Sequence, residues 1–291
     1  MRTLDFGGVT VDRVVETEGP SFHPGFIFPD ATDAAMAGES DWLLPHFLDP
    51  GSGRLLMSLH SYVIRTRHHT ILVDTCVGNH KDRPSTPAWH RRDTSWLGDL
   101  RAMGVTPESV DFVLCTHLHV DHVGWNTRLD NGRWVPTFPN ARYLFHKDEY
   151  AHWQASEMPH VGSGTTEGSF EDSVLPVAGA GLADFVDGDH AIEDGLFLEA
   201  SPGHTPGHVC LHLEGGGEHA LFTGDMMHHP VQAAYPEWNS RYCHDPALSR
   251  AMRRSYVERY ADTATRILAA HFAQPVAGRI VSNGARCKFA V

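Results

Sequence analysis

The chain has 291 residues, 41% hydrophobic and 20% charged, with a formal net charge of −13. That size and composition suit one globular domain over residues 1–291 with a sizeable core, and the acidic balance argues against nucleic acid as a partner, because phosphates call for a basic face. The start, Met1-Arg2-Thr3-Leu4-Asp5-Phe6-Gly7-Gly8, has no apolar core of signal length, no run approaches a membrane span, and five cysteines without paired short spacing read as thiols, so no membrane partner and a cytoplasmic location are expected.

In chain order, residues 8–15 read as a strand. Residues 21–57 carry Phe22, Phe26, Phe28, Trp42, Leu43, Leu44 and Phe47, broken by Pro24, Pro29, Pro45 and Pro50. Aromatics punctuated by proline form no long helix and read as an ordered loop over something apolar. A substrate lid, a plug at the edge of the fold and a homodimer contact all fit that pattern. Strands follow at 61–66 and 70–74, the second ending in Asp74. The basic cluster Lys81, Arg83, His90, Arg91 and Arg92 reads as a solvated loop. Leu97, Leu100 and Met103 recur at helical spacing, which predicts a helix over 96–103.

Next, 112–115 is a short apolar strand that runs into Thr116-His117-Leu118-His119-Val120-Asp121-His122. Four donor side chains within six positions stand on a stiff support. In an extended loop, residues two apart point the same way, so His117 and His119 reach one ion. Asp121 and His122 follow as the chain turns toward a helix and face a second. Trp125, past Gly124, is placed in a pocket wall.

Strands are read at 142–145, 196–200, 209–213 and 221–223. A second candidate lid covers 150–175, with Trp153, Met158 and Gly162-Ser163-Gly164. Further donors arrive in order. Ser201-Pro202-Gly203-His204-Thr205-Pro206-Gly207-His208 fixes one imidazole in a tight turn. Leu221-Phe222-Thr223 ends in Gly224-Asp225, and Ala269-Ala270 leads into His271. Five His and two Asp are enough for two metals with an open position. Imidazole and carboxylate suit Zn, and also accept Mn, Fe or Co. Asp245 as N-cap and Pro246 at the first helical position start a helix that runs to about Ala261, and 278–281 reads as a last strand.

This H-x-H-x-D-H motif, with the later His, Gly-Asp and His in that order, resembles the metallo-β-lactamase superfamily in its dinuclear hydrolase branch. The resemblance implies an α+β fold, a four-layer αββα sandwich, with 21–57 and 150–175 as lid-like insertions. It implies that His117, His119 and His204 hold a first zinc ion and Asp121, His122 and His271 a second, with Asp225 bridging. Asp74 is then an outer partner that orients a ligand His. Two ions that share a water lower its pKa and yield a hydroxide nucleophile. The reaction implied is hydrolysis of a small ester-like bond, a lactone or carboxylic ester first, with Asp121, Asp225 and His228 carrying the chemistry. His228 takes a place that resembles a Tyr in acyl-homoserine lactonases and a His in methyl-parathion-hydrolase-like enzymes. A phosphotriesterase, and a mononuclear iron dioxygenase of the same fold, are the alternatives. The partner is a small molecule. No G-x-S-x-G elbow occurs, and none is needed.

Overall fold

The computed structural model describes residues 3–155 and 167–291. Met158 and Gly162-Ser163-Gly164, the core of the second candidate lid, lie outside the described residues. The chain divides into two compact units. One is built from Arg2–Glu16 and Leu59–Asp187, the other from Thr17–Ser58 and Gly188–Val291.

Nine strands come first along the chain: β1 (Leu4–Phe6), β2 (Val9–Pro20), β3 (Leu56–Arg65), β4 (Thr70–Val73), β5 (Phe112–Leu114), β6 (Thr127–Asp130), β7 (Arg133–Pro136), β8 (Arg142–His146) and β9 (Ala183–Val186). Among the described residues, β6 and β7 pair as a separate ribbon, and the others form a seven-stranded sheet of order β1-β2-β3-β4-β5-β8-β9. From β4 to β9 the neighbours run parallel. Parallel strands covered on both faces read as unbroken apolar runs, which is why Ile71-Leu72-Val73 and Val113-Leu114 are all buried. Parallel pairing also puts the C-terminal ends of β4, β5 and β8 on one edge. The loops that carry Asp74 and the H-x-H-x-D-H residues therefore emerge side by side.

The core of this unit gathers Trp96 and Leu100, from a helix over Trp96–Ala102, with Val113, Tyr143, Phe145 and Phe170. Trp125 belongs to it. Its ring stacks on Trp96 at 5.2 Å, and its indole N–H donates to Glu16, so the pocket-wall placement gives way to a packing role.

The basic cluster is also not the solvated loop expected. Lys81 and Arg83 are fully buried. Lys81 donates to Thr127 Oγ1 at 2.6 Å, pairs with Asp172 at 3.3 Å and lies over the Trp134 ring. Arg83 holds both oxygens of Asp172, at 2.7 and 2.9 Å. A buried cation needs such partners, and this one stands 89 positions away in sequence, where spacing does not reveal it. Arg91 alone fits the solvated description, with 67% of its side chain exposed.

In the other unit, β10 (Ala191–Glu193), β11 (Leu196–Ala200), β12 (Val209–Gly215), β13 (Glu218–Phe222), β14 (Arg266–Leu268), β15 (Ala277–Asn283) and β16 (Arg286–Ala290) form a sheet in sequence order. β11, β12 and β13 are antiparallel neighbours, and β13 pairs parallel with β14, Phe222 opposite Leu268. The turn after β11 and the ends of β13 and β14 thus share one edge.

Residues 21–57 contain three short helices, Pro24–Ile27, Asp33–Gly38 and Ser40–Leu43, in keeping with proline punctuation. Phe28 packs near Trp238, and Phe47 meets Phe289 and His229. Phe22 and Phe26 stack on each other instead, with Phe26 45% exposed. The helix Pro246–Tyr260 starts as expected, Asp245 Oδ1 accepting from Ala247 N and Leu248 N at 3.0 Å each. No helix among the described residues is long and apolar enough to cross a membrane.

Candidate metal centre

The first group of donors is set by backbone that leaves β4 and β5. Asp74 adopts a left-handed φ of 58°, and its carboxylate accepts from Thr116 N and Oγ1. The same carboxylate lies 2.9 Å from His122 Nδ1. A carboxylate on one ring nitrogen fixes the tautomer and leaves the other nitrogen as a donor to a metal. His122 Nε2 accordingly faces Asp121, 3.7 Å from its Oδ1. The His117 ring lies 4.5 Å from that of His119 and 4.0 Å from that of His122. His119 ends the extended stretch and precedes a one-turn helix, Val120–Val123, which carries Asp121 and His122. Within this unit the four donors thus stand together past the end of β5.

Three further groups hold this loop. Glu149, buried on the helix Lys147–Ala155, accepts from Leu118 N at 3.0 Å and from the Trp153 indole at 2.8 Å. Trp153 in turn meets the His119 ring edge-on. Glu16 accepts from Val77 N, Gly78 N and Trp125 Nε1; burial pushes its carboxyl pKa up. Gly124 comes so close to Val77 that a Cβ there would lie 1.8 Å from its carbonyl oxygen. Neither Glu16 nor Glu149 was singled out from sequence, since each acts on a segment distant along the chain.

The second group belongs to the other unit. Asp225 follows β13 and His271 follows β14, side by side because those strands are parallel. Asp225 Oδ1 lies 2.9 Å from His271 Nε2, while Oδ2 lies 3.4 Å from His204 Nε2 and 3.2 Å from His228 Nε2. Its two oxygens thus address different imidazoles, as a bridging carboxylate requires.

His271 and the Asp225 turn are each held by a partner. His271 Nδ1 lies 3.1 Å from the carbonyl oxygen of Ser58 and donates to it. His208 accepts from Asp225 N at 3.0 Å and pairs with Ser201 Oγ at 2.7 Å, which makes it a brace for the Asp225 turn. Gly203, at φ 130°, would place a Cβ 2.4 Å from Ser249 N, so the turn before His204 admits only glycine.

His228 is buried, with its ring 4.9 Å from His204 and 5.8 Å from His271. Burial lowers its pKa, against the pull of Asp225. Its backbone N–H donates to Gln232 Oε1. Nitrogen and carboxylate donors whose far sides are already engaged fit divalent metal of the zinc type.

The chain matches the Metallo-beta-lactamase superfamily over residues 56–271. It is 25% identical over 175 residues to the N-acyl homoserine lactonase of Bacillus thuringiensis, an alignment that covers 56% of this chain and 61% of that protein; the chain thus spans about three fifths of the length of this curated relative. Among solved structures, the hydrolase AbOPH of the beta lactamase superfamily superposes with a TM-score of 0.80 at 25% identity, covering 99% of this chain and 96% of the other. AidC, a dizinc quorum-quenching lactonase crystallised with N-hexanoyl-L-homoserine, gives 0.79 at 18% identity over 99% and 96% of the two chains. These likenesses show the α+β metallo-β-lactamase sandwich that the motif implied.

Proposed function

Since the chain belongs to the metallo-β-lactamase superfamily, we propose that it is a dinuclear metal-dependent hydrolase that opens a lactone, with an N-acyl homoserine lactone as the first substrate to try. The observation that carries this reading is the divided carboxylate of Asp225, one oxygen toward His271 and the other toward His204. Donor clustering within each unit supports it: His117, His119, Asp121 and His122 stand together in one, and Asp225 stands beside His204 and His271 in the other. The names of the lactonase relatives support the substrate class over a phosphotriester and over an iron dioxygenase.

In this proposal His117, His119 and His204 hold one ion, Asp121, His122 and His271 the other, and Asp225 both. Zinc is the metal named for one structural neighbour and suits the donors. Bound there, two divalent ions supply Lewis acidity and lower the pKa of water, which is the chemistry that ester cleavage needs. The protein residues do the rest. Asp74 and the Ser58 carbonyl keep the far nitrogens of His122 and His271 engaged, so that Nε2 of each is the donor. His228, its Nε2 3.2 Å from Asp225 Oδ2, is the group that donates a proton to the leaving oxygen. Residues 21–57 supply an apolar wall for a small substrate, and the chain works in the cytoplasm. Exposed Phe26 leaves a homodimer contact open to test by mass in solution.

The test is acid release in weak buffer from zinc-loaded protein, offered an N-acyl homoserine lactone, an aryl ester and a phosphotriester, with Asp225→Ala alongside. Rapid acid from the lactone, lost in the variant, is the expected result. Turnover of the phosphotriester alone would overturn the substrate class.

A further inference from the structure

His204 differs from the other braced histidines in what stands behind it. His122 has a carboxylate there and His271 a backbone carbonyl. Behind His204, on the side away from Asp225, is a thiol: Cys243 Sγ lies 3.7 Å from Nδ1. The sulfur does not end the contact. Ser249 Oγ is 3.3 Å from Sγ, and Arg253 Nη1 donates to that hydroxyl at 3.3 Å. Arg253 is fully buried, and the same Nη1 donates to the carbonyl of Met226, the residue after Asp225, at 2.9 Å.

The backbone is arranged to hold this chain of contacts in place. His244 N donates to His204 O at 2.8 Å, and Asp245 N to Gly203 O at 2.9 Å. Asp245 caps the helix that carries Ser249 and Arg253. Gly203 lies against Ser249 with no room for a Cβ. The loop 243–245 is thus zipped to the His204 turn, and the first turns of the helix are locked to both.

We propose that Cys243 is a positioning residue for His204, its sulfur accepting from Nδ1–H while Ser249 and Arg253 fix the sulfur. The inference rests on the reading of His204 as a metal ligand. Sulfur is a weak acceptor, but the ring is buried, so an acceptor on Nδ1 decides both its tautomer and its orientation. With Nδ1 protonated and engaged, Nε2 presents its lone pair on the side of Asp225. Arg253 ties the two ligands together, because one guanidinium reaches the support of His204 and the backbone that follows Asp225.

The test compares Cys243→Val, of similar size without an acceptor, with Cys243→Ser, which keeps one. Zinc affinity is measured by competition with a chromophoric chelator, and the melting midpoint of the metal-free protein is recorded beside it. Cys243→Val should bind one of its two zinc equivalents about 10- to 100-fold more weakly. Cys243→Ser should bind within about threefold of the wild type, and all three metal-free proteins should melt within about 2 °C of one another. Should the valine variant not fold, Ser249→Ala carries the same test, with an expected loss of about threefold or more. Wild-type affinity in Cys243→Val, or an equal loss in Cys243→Ser, would overturn the inference while leaving the metal reading intact. A wild-type chain that binds no zinc would overturn both.

Discussion

Replacing Gly124 by alanine tests how the ligand-bearing turn is seated. Gly124 has φ −59° and ψ −47°, a conformation open to any residue, so alanine brings no dihedral strain. Its methyl would nevertheless stand 1.8 Å from Val77 O, about 1.6 Å short of the 3.4 Å at which ordinary contact begins. The obstacle is backbone, so the two segments must part. Parting stretches the bonds from Gly124 N to Cys76 O (2.7 Å) and from Trp125 N to Thr75 O (2.8 Å). Overpacking costs about 1–3 kcal/mol, and two weakened hydrogen bonds add about 1 kcal/mol each. The total, about 3–5 kcal/mol, corresponds to a midpoint lower by about 5–8 °C for a chain of this size. The assay is urea and thermal unfolding of the metal-free protein followed by tryptophan fluorescence, with Gly98→Ala as control. Gly98 is exposed inside a helix with nothing near its missing Cβ, so that change should stabilise by about 0.5–1 kcal/mol. A Gly124→Ala protein that melts within about 2 °C of the wild type would refute the packing argument.

Two further predictions concern charge. Asp74→Ala removes the carboxylate behind His122 and should weaken zinc binding about 10- to 100-fold; Asp74→Asn, which tolerates the left-handed backbone and keeps an acceptor, should lose less, and equal affinity in all three proteins by chelator competition would contradict the role. His229 is buried as a neutral ring, Nε2 bonded to Phe47 O and Nδ1 to Val231 N, and burial lowers its pKa from 6.5 to about 4. Since the unfolded state binds the proton first, its contribution is fully present above pH 6.5 and is lost as pH falls toward 4, about 3 kcal/mol in all. Urea midpoints from pH 7.5 down to 4.5 should therefore fall more steeply for the wild type than for His229→Gln; parallel slopes would show that His229 is not held neutral.

The cluster of donor residues was legible because its geometry is local. His117 to His122 sit within one strand end and one helical turn, and the Gly-Pro frame of His204 marks a rigid turn in any chain. The long helix was legible from its Asp-Pro start, and most strands from apolar runs such as Ile71-Leu72-Val73. What stayed hidden was set by contacts between distant segments. Nothing near Glu16, Glu149 or Cys243 in sequence hints that each contacts a loop or turn that belongs with the donor residues. Lys81 and Arg83 looked solvated because their partner, Asp172, follows about 90 residues later. Trp125 looked like a wall of the pocket because it follows the motif, yet its neighbour is Trp96. The edge strand β9 and the ribbon β6–β7 went unread, the ribbon's Thr127-Arg128-Leu129-Asp130 being exposed along most of its length.

The central claim is that seven side chains hold two metals that together open a lactone. Zinc titrated into metal-free protein, with N-acyl homoserine lactone hydrolysis read after each addition, tests it most directly. The account predicts saturation at two equivalents per chain, full activity only with the second, and fewer than two equivalents with no activity in Asp225→Ala. Saturation at one equivalent, or two equivalents bound without lactone opening, would contradict it.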